Sequence, residues 1–389
     1  MSKPKVNVAL IGSGFMGRAH SNGLRQVNAF FDLPVEPVMK VLGARNPESG
    51  NKLAEKFGWQ EVVADWQEVV SRPDIQVVDI VTPVFTHAEI AVAALQAGKA
   101  VICEKPLSGT LSQAVEMAQA ADRAGAPNLC NYNLRATPAI SYARQLIQEG
   151  AIGKANQWRA AFQQGWLVNP DFPLTWRLRK EAAGSGALGD LGSHSIDIAR
   201  FLVGEIEAVS AMLHTFTRQR AIPIKDEGRN SKPSGKMGEV TVDDSVWSLL
   251  RFEAGAYGNM EATRMATGQL CANQFEVYGS EGALAFDFMR LNELRYFSLR
   301  DPRPEQGWRT IHVTLPVHPY MEAWWPAGHS LGYEHTFTHL LADFFQAYAQ
   351  DESPAPDFRD AAKTQAVLDA IERSDACRAW VDVERQAGS

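Results

Sequence analysis

Along its first 150 residues the chain alternates short, nearly continuous apolar runs with amphipathic stretches. VNVALI (6–11) precedes a helical pattern over 15–31, and VMKVLGA (38–44) precedes PESGNKLAEKFG. IQVVDIVT (75–82) leads into HAEIAVAALQAG, KAVICEKP (99–106) into SQAVEMAQAADRAG, and PNLCNY (127–132) into a helix from about 138. Strands apolar on both faces and separated by helices predict a parallel sheet covered on both sides. Past 150 the period changes. A helical pattern over 186–204 is followed by EAVSAMLHTF, VWSLLRFEAGAYGNMEATR and NQFEVYGSEGALAFDF, which predict antiparallel strands. The polar segment 218–239, rich in Gly, Pro and charge, predicts a long loop. EHTFTHLLADFFQAYAQ and FRDAAKTQAVLDAIERSDACRAW predict two late helices. The organisation is therefore α/β followed by α+β. It predicts a first domain over 1–135 and a second over 136–389, whose final helices can pack back on the first.

The first strand ends in GSGFMG, with glycines at 12, 14 and 17. A GxGxxG between a strand and a helix is the context in which this motif binds a dinucleotide. The glycines permit the tight turn and let the backbone approach a pyrophosphate. Phe15 and Met16 lie within the same turn, and the helix N-terminus offers free N–H groups to the anion. At the end of the second strand an acid usually accepts a hydrogen bond from the adenosine ribose. Here Ala44 and Arg45 stand in its place. Losing the carboxylate removes repulsion toward a 2′-phosphate, and arginine can pair with one. The reading is NAD(P), tilted toward NADP.

Ligands of open α/β sheets bind beyond the carboxyl ends of the strands. Thr82 and Pro83 end the third strand, with His87 five residues past Thr82. Glu104 and Lys105 end the fourth, where Pro106 restricts the turn that aims Lys105. Asn131, Tyr132 and Asn133 end the fifth. Their shared edge makes them candidate cofactor and substrate contacts.

In GALGDLGSHSIDIARFLVG (186–204), Asp190, His194 and Asp197 fall at i, i+4 and i+7 on one helical stripe. Leu188, Leu191, Ile198, Leu202 and Val203 form the apolar face. Periodicity alone therefore predicts a wet stripe shared with Ser193 and Arg200. Phe201 interrupts that stripe, and the upstream nucleotide fold supplies something for it to face.

Hydrophobic residues make up 45% of the 389 and charged residues 21%, which allows a sizeable core. A net charge of −7 with no basic arm argues against nucleic acid or an anionic membrane surface as partner. No apolar run is long enough to span a bilayer, and no signal peptide is expected. Cys103, Cys130, Cys271 and Cys377 form no CxxC pair, so no metal site is expected and reduced thiols in the cytoplasm are.

GSGFMG, TPxxxH, CEKP and GALGDLGSHSID, in this order and spacing, resemble the Gfo/Idh/MocA family of NAD(P)-dependent oxidoreductases over nearly the whole chain. Within it, SGALGDLGSH, LTWR (174–177) and AWWPAGH (323–329) are most similar to inositol, levoglucosan and related sugar dehydrogenases. The resemblance implies a Rossmann domain and an α/β domain built on a large open antiparallel sheet that supports homodimers or homotetramers. It implies catalytic roles for Lys105, Asp190 and His194. It also implies nicotinamide-side contacts from Thr82, Pro83, His87, Glu104 and Lys105, with Trp176 and Arg177 near cofactor or substrate.

The expected chemistry is reversible hydride transfer between a secondary hydroxyl of a sugar, polyol or glycoside and nicotinamide. His194 is a candidate base, since imidazole titrates near neutrality, and Asp190 would orient it. Lys105 would hydrogen-bond the reacting oxygen; if burial lowers its pKa, it could take the proton instead. Tyr132, Arg135, Trp166, Trp176, Arg177, Trp324, Trp325 and His335 are candidate sugar contacts, with Arg177 and His335 foremost. An alternative uses the same residues for glycoside hydrolysis by transient oxidation, elimination, water addition and re-reduction.

Overall fold

The computed structural model describes residues 3–225 and 231–385. Its contacts divide the chain into two units, residues 1–136 with 331–362, and 137–330 with 363–389. The segment 331–362, part of the expected second domain, thus belongs to the first unit.

In the first unit the expected strands and helices form β1 (Lys5–Ile11), α1 (Phe15–Phe30), β2 (Glu36–Gly43), α2 (Pro47–Phe57), β3 (Glu61–Val63), α3 (Trp66–Ser71), β4 (Val77–Ile80), α4 (His87–Gln96), β5 (Ala100–Cys103), α5 (Leu111–Ala124) and β6 (Asn128–Cys130). Short β3 and α3 carry too few apolar residues to be read from the sequence. The six strands are parallel in the order β3-β2-β1-β4-β5-β6. The direction of strand addition reverses between β1 and β4, the switch point at which such sheets bind ligands. Val8, Val77, Val78, Ile80, Val101 and Ile102 are wholly buried, which is why these strands read as unbroken apolar runs.

The second unit contains α6 (Pro138–Gln148), β7 (Ala155–Gln163), α7 (Lys180–Ala183), α8 (Ser193–Leu202), β8 (Ile206–His214), β9 (Gln219–Pro223), β10 (Pro233–Glu239), β11 (Ser245–Phe252), β12 (Tyr257–Thr263), β13 (Ala272–Gly279), β14 (Gly282–Asp287), β15 (Glu293–Ser298) and β16 (Arg309–His312). Later in the chain come α9 (His335–Tyr348), which belongs to the first unit, then α10 (Phe358–Cys377) and β17 (Val381–Asp382). Nine strands form one open sheet in the order β16-β15-β14-β13-β7-β12-β11-β8-β17. Its pairs are antiparallel except β12 with β7.

The segment 218–239 corrects the expected loop. β9 and β10 pair as an antiparallel ribbon, with Met237 opposite Ala221 and Gly238 opposite Arg220. The polar content that suggested a loop is what anchors the ribbon. Arg220 is wholly buried and donates to the carbonyls of Leu167, Asn169 and Phe172. The middle of that expected loop, 226–230, lies outside the described residues. Among the described residues no helix is long and apolar enough to cross a membrane.

Candidate active site

The glycine turn fits a dinucleotide position by position. Gly12 has φ +126°, a backbone that other residues rarely adopt. A side chain at Gly17 would run into the Gly12 carbonyl, whereas one at Gly14 would meet nothing within 4 Å. The turn is closed where helix packs on strand and open where a ligand would approach. No side chain caps the start of α1 at Gly14, so its first N–H groups remain available to an anion. Ser13 and Ser49 join their hydroxyls at 2.8 Å beside this turn. Ala44 is buried at the end of β2 and Arg45 is exposed just past it.

Beyond β5, Glu104 and Lys105 lead into a cis Lys105–Pro106 peptide. Glu104 is buried, and its Oε1 accepts from His20 Nε2 at 2.8 Å and Asn131 Nδ2 at 2.6 Å. The other face of His20 meets Asp79, with Nδ1 2.8 and 3.0 Å from its two oxygens. Burial alone would push the His20 imidazole down; the charge of Asp79 and the ring's hydrogen bonds to both carboxylates overturn that and raise it to about 10. Burial likewise opposes ionisation of Glu104. Its hydrogen bond from His20, and the charges of His20 and Lys105, bring it below its ordinary value.

His87 is also buried, but its ring faces main-chain carbonyls. Nε2 lies 2.9 Å from the Thr82 oxygen, and Nδ1 lies 3.2 and 3.3 Å from those of Pro106 and Leu107. Burial lowers its pKa, while its hydrogen bonds to these carbonyls pull the other way. In this geometry His87 braces the end of β4 against the turn carrying Lys105.

The second unit carries Asp190 on a π-helical turn, Leu188–Gly192, that runs directly into α8. Such widened turns recur at functional sites. Asp243 holds this turn, its carboxylate accepting from the Gly186 N–H at 2.6 Å and the Leu188 N–H at 2.8 Å. Burial pushes the Asp243 carboxyl up, while Arg264 and these N–H groups pull it back part of the way. A side chain at Gly186 would overlap the Asp243 carbonyl. Arg264, itself buried, donates to that carbonyl at 2.9 Å and to the Arg177 carbonyl at 3.5 Å. One arginine thus links the Asp190 turn to the LTWR segment. There the Arg177 guanidinium lies 4.3 Å from the centre of the Trp176 ring.

The expected wet stripe is not wet. Ser193 through Arg200 are all buried, with His194 beside the Phe162 ring, and Asp190 and Phe201 at the ends of the stripe are part-exposed. Arg200 pairs in a fork with Glu205 at 2.9 Å and also donates to Thr364. The hydrophobic face alone could not signal this, because polar groups such as Ser193 and Arg200 are buried with partners.

The structure separates the sequence candidates. Gly12, Gly14, Phe15, Met16, Gly17, Ala44, Arg45, Thr82, Pro83, His87, Glu104, Lys105, Tyr132, Asn133 and His335 lie in the first unit; Trp176, Arg177, Asp190 and His194 lie in the second. Two do not serve as expected. Tyr132 is wholly enclosed in the apolar core of the first unit, with no accessible surface to offer a sugar. Arg135 is buried and pairs with Asp360 at 2.7 Å. Asn133 spends an amide hydrogen on Thr336 at the start of α9, at 2.7 Å. Trp166 packs edge-on against Phe172 under the Arg264 guanidinium, while Trp325 is exposed. Reading the sequence missed His20, Asp79, Asp243 and Arg264. The one available signal was Asp79, a lone charge inside the apolar run VVDI.

The family model for the oxidoreductase family with an NAD-binding Rossmann fold matches residues 6–132, and that for the GFO/IDH/MocA C-terminal domain matches residues 140–285. Levoglucosan dehydrogenase of Pseudarthrobacter phenanthrenivorans is 42% identical over 385 residues, covering 97% of this chain and 98% of that one. This chain belongs to the Gfo/Idh/MocA oxidoreductase family. Among solved structures, a levoglucosan dehydrogenase in complex with NADH and levoglucosan matches with a TM-score of 0.92 at 41% identity, over 98% of this chain and all of that one. An oxidoreductase domain protein from Kribbella flavida matches at 0.93 and 43%, over 99% and 100%. The family and the glycine turn together make this chain an NAD(P)-dependent oxidoreductase. Redox-neutral glycoside hydrolysis is not favoured, since its relatives are sugar and inositol dehydrogenases.

Proposed function

We propose that this protein oxidises a secondary hydroxyl of an anhydrosugar such as levoglucosan. The end-to-end similarity to levoglucosan dehydrogenase carries the reading. Gly12, Gly14, Phe15, Met16 and Gly17 would hold a dinucleotide, which when bound would supply the acceptor for the hydrogen that leaves carbon. The remaining steps belong to the protein. His194 removes the hydroxyl proton, and Asp190 orients the imidazole and stabilises its cation. Lys105 hydrogen-bonds the reacting oxygen as negative charge develops there. Arg177 and His335 hold the substrate's other oxygens. The test is a panel of anhydrosugars, inositols, aldoses and glycosides with either dinucleotide. Levoglucosan is expected to reduce it fastest. Reduction by none of them, or aglycone release without reduction, would overturn the reading.

NAD is the proposed physiological cofactor because the similar levoglucosan dehydrogenase structures carry NADH, in place of the NADP tilt read from Ala44 and Arg45; NADP is accepted because Ala44 leaves no carboxylate to repel it. The exposed Arg45 would pair with the 2′-phosphate, a charge-assisted contact worth roughly 1.5–3 kcal/mol. Arg45→Ala is expected to lower kcat/KM with NADP by about tenfold or more while leaving NAD unchanged. Equal losses with both dinucleotides would remove Arg45 from cofactor choice.

We also propose a homo-oligomer formed through the nine-stranded sheet. Met212, Trp247, Leu249 and Tyr257 share one face of β8, β11 and β12, and each is exposed. The four free thiols support residence in a reducing cytoplasm.

A further inference from the structure

Behind the CEKP turn lies a charged cluster that the roles above do not use. His20 on α1, Asp79 in β4, Glu104 after β5 and Asn131 after β6 are each no more than 5% exposed. Both ring nitrogens of His20 face carboxylates, Asp79 at 2.8 Å and Glu104 at 2.8 Å. Carboxylates only accept, so satisfying both requires a ring with two N–H groups, the imidazolium. Asn131 Nδ2 lies 2.6 Å from Glu104 Oε1 and 3.0 Å from His20 Nε2; a charged ring offers Nε2 no lone pair, so the amide hydrogen goes to Glu104, whose Oε2 accepts the main-chain N–H of Lys105 at 3.1 Å. Phe337 of α9 closes the cluster, its ring centre 5.4 Å from that of His20. The other titratable groups acting on it are Cys103, His87 and Lys105. Buried ion clusters are weak evidence for stability. This one ends on the backbone of a residue placed at the reaction.

We propose that His20 is a positioning residue. Clamped between Asp79 and Glu104, its imidazolium keeps Glu104 ionised and oriented, and Glu104 fixes the main chain that carries Lys105. The inference rests on the reading that Lys105 acts at the reacting oxygen.

Charge balance gives the test. In the native cluster one cation offsets two anions, leaving one net negative charge. His20→Gln leaves two buried carboxylates with no cation between them, so burial and their like charge push their pKa values up. The paired variant His20→Gln with Asp79→Asn leaves Glu104 alone and restores the net charge. His20→Gln is expected to lower kcat by up to about 10²-fold, the scale for misplacing a catalytic group by about 1 Å. The sugar KM should stay nearly constant, and the pH profile should gain an ionisation near neutrality. The paired variant should recover most of the rate. Native kcat and pH profile in His20→Gln, or a paired variant as slow as the single one, would overturn the proposal. Lys105→Met separates the two claims. If it is fast, the reading of Lys105 fails; if it is slow while His20→Gln is fast, the positioning inference fails. Should the variants not fold, nitrogen NMR of the unaltered protein decides. His20 is expected to carry protons on both ring nitrogens at about pH 8.5, well above the ordinary imidazole range; a neutral ring there would overturn the proposal.

Discussion

Replacing His194 with alanine is expected to lower kcat by about 10²–10⁴-fold, the range for losing a general base. An alcohol cannot release its carbon-bound hydrogen as hydride while it keeps its hydroxyl proton, so the base acts in the same step. His194 suits the task because imidazole titrates near neutrality and Asp190 precedes it by one turn. Dinucleotide affinity, set by the glycine turn of the other unit, should not change. His194 is buried, so alanine could also cost packing. His194→Gln guards against that: it keeps much of the volume but cannot titrate, and should be nearly as slow. In both variants the pH profile of kcat/KM should lose the limb that reports a free imidazole base. Native kcat in His194→Gln would remove this residue from proton transfer and leave Lys105 as the base.

Lys105→Met is expected to cost about 10²–10³-fold in kcat, the scale seen when one preorganised donor to a developing oxyanion is removed. The substitution keeps an unbranched chain in a half-buried position, so stability should change little. Lys105→Arg should not restore the rate, because a planar guanidinium does not replace a compact ammonium at a single oxygen. Slowing the chemical step should also raise the isotope effect for a substrate deuterated at the oxidised carbon. Full turnover of Lys105→Met with normal dinucleotide binding would contradict the role.

What the sequence revealed was local. The glycine turn, the apolar strands and CEKP are contiguous, and each residue type has a physical reason at its place. What it hid was assembled from afar. His20 reaches Asp79 across 59 positions and Glu104 across 84, and neither spacing leaves a period to detect. The burial of α8 was hidden for another reason. Periodicity sorts residues by polarity, whereas Arg200 is a buried polar group satisfied by Glu205 and Thr364. Tyr132 and Arg135 show the reverse error. An aromatic and an arginine past a strand end suggest sugar contacts, yet one fills the core and the other holds Asp360. The ribbon of β9 and β10 escaped because its anchor, Arg220, is a residue type counted toward loops.

The central claim is that hydrogen passes directly from a sugar carbon to the dinucleotide. Levoglucosan deuterated at its ring carbons, incubated with the protein and NAD, tests it most directly. One reduced dinucleotide per sugar oxidised is expected, each carrying one deuterium on its nicotinamide ring. Reduced dinucleotide free of deuterium, or sugar consumed with no reduced dinucleotide formed, would contradict it.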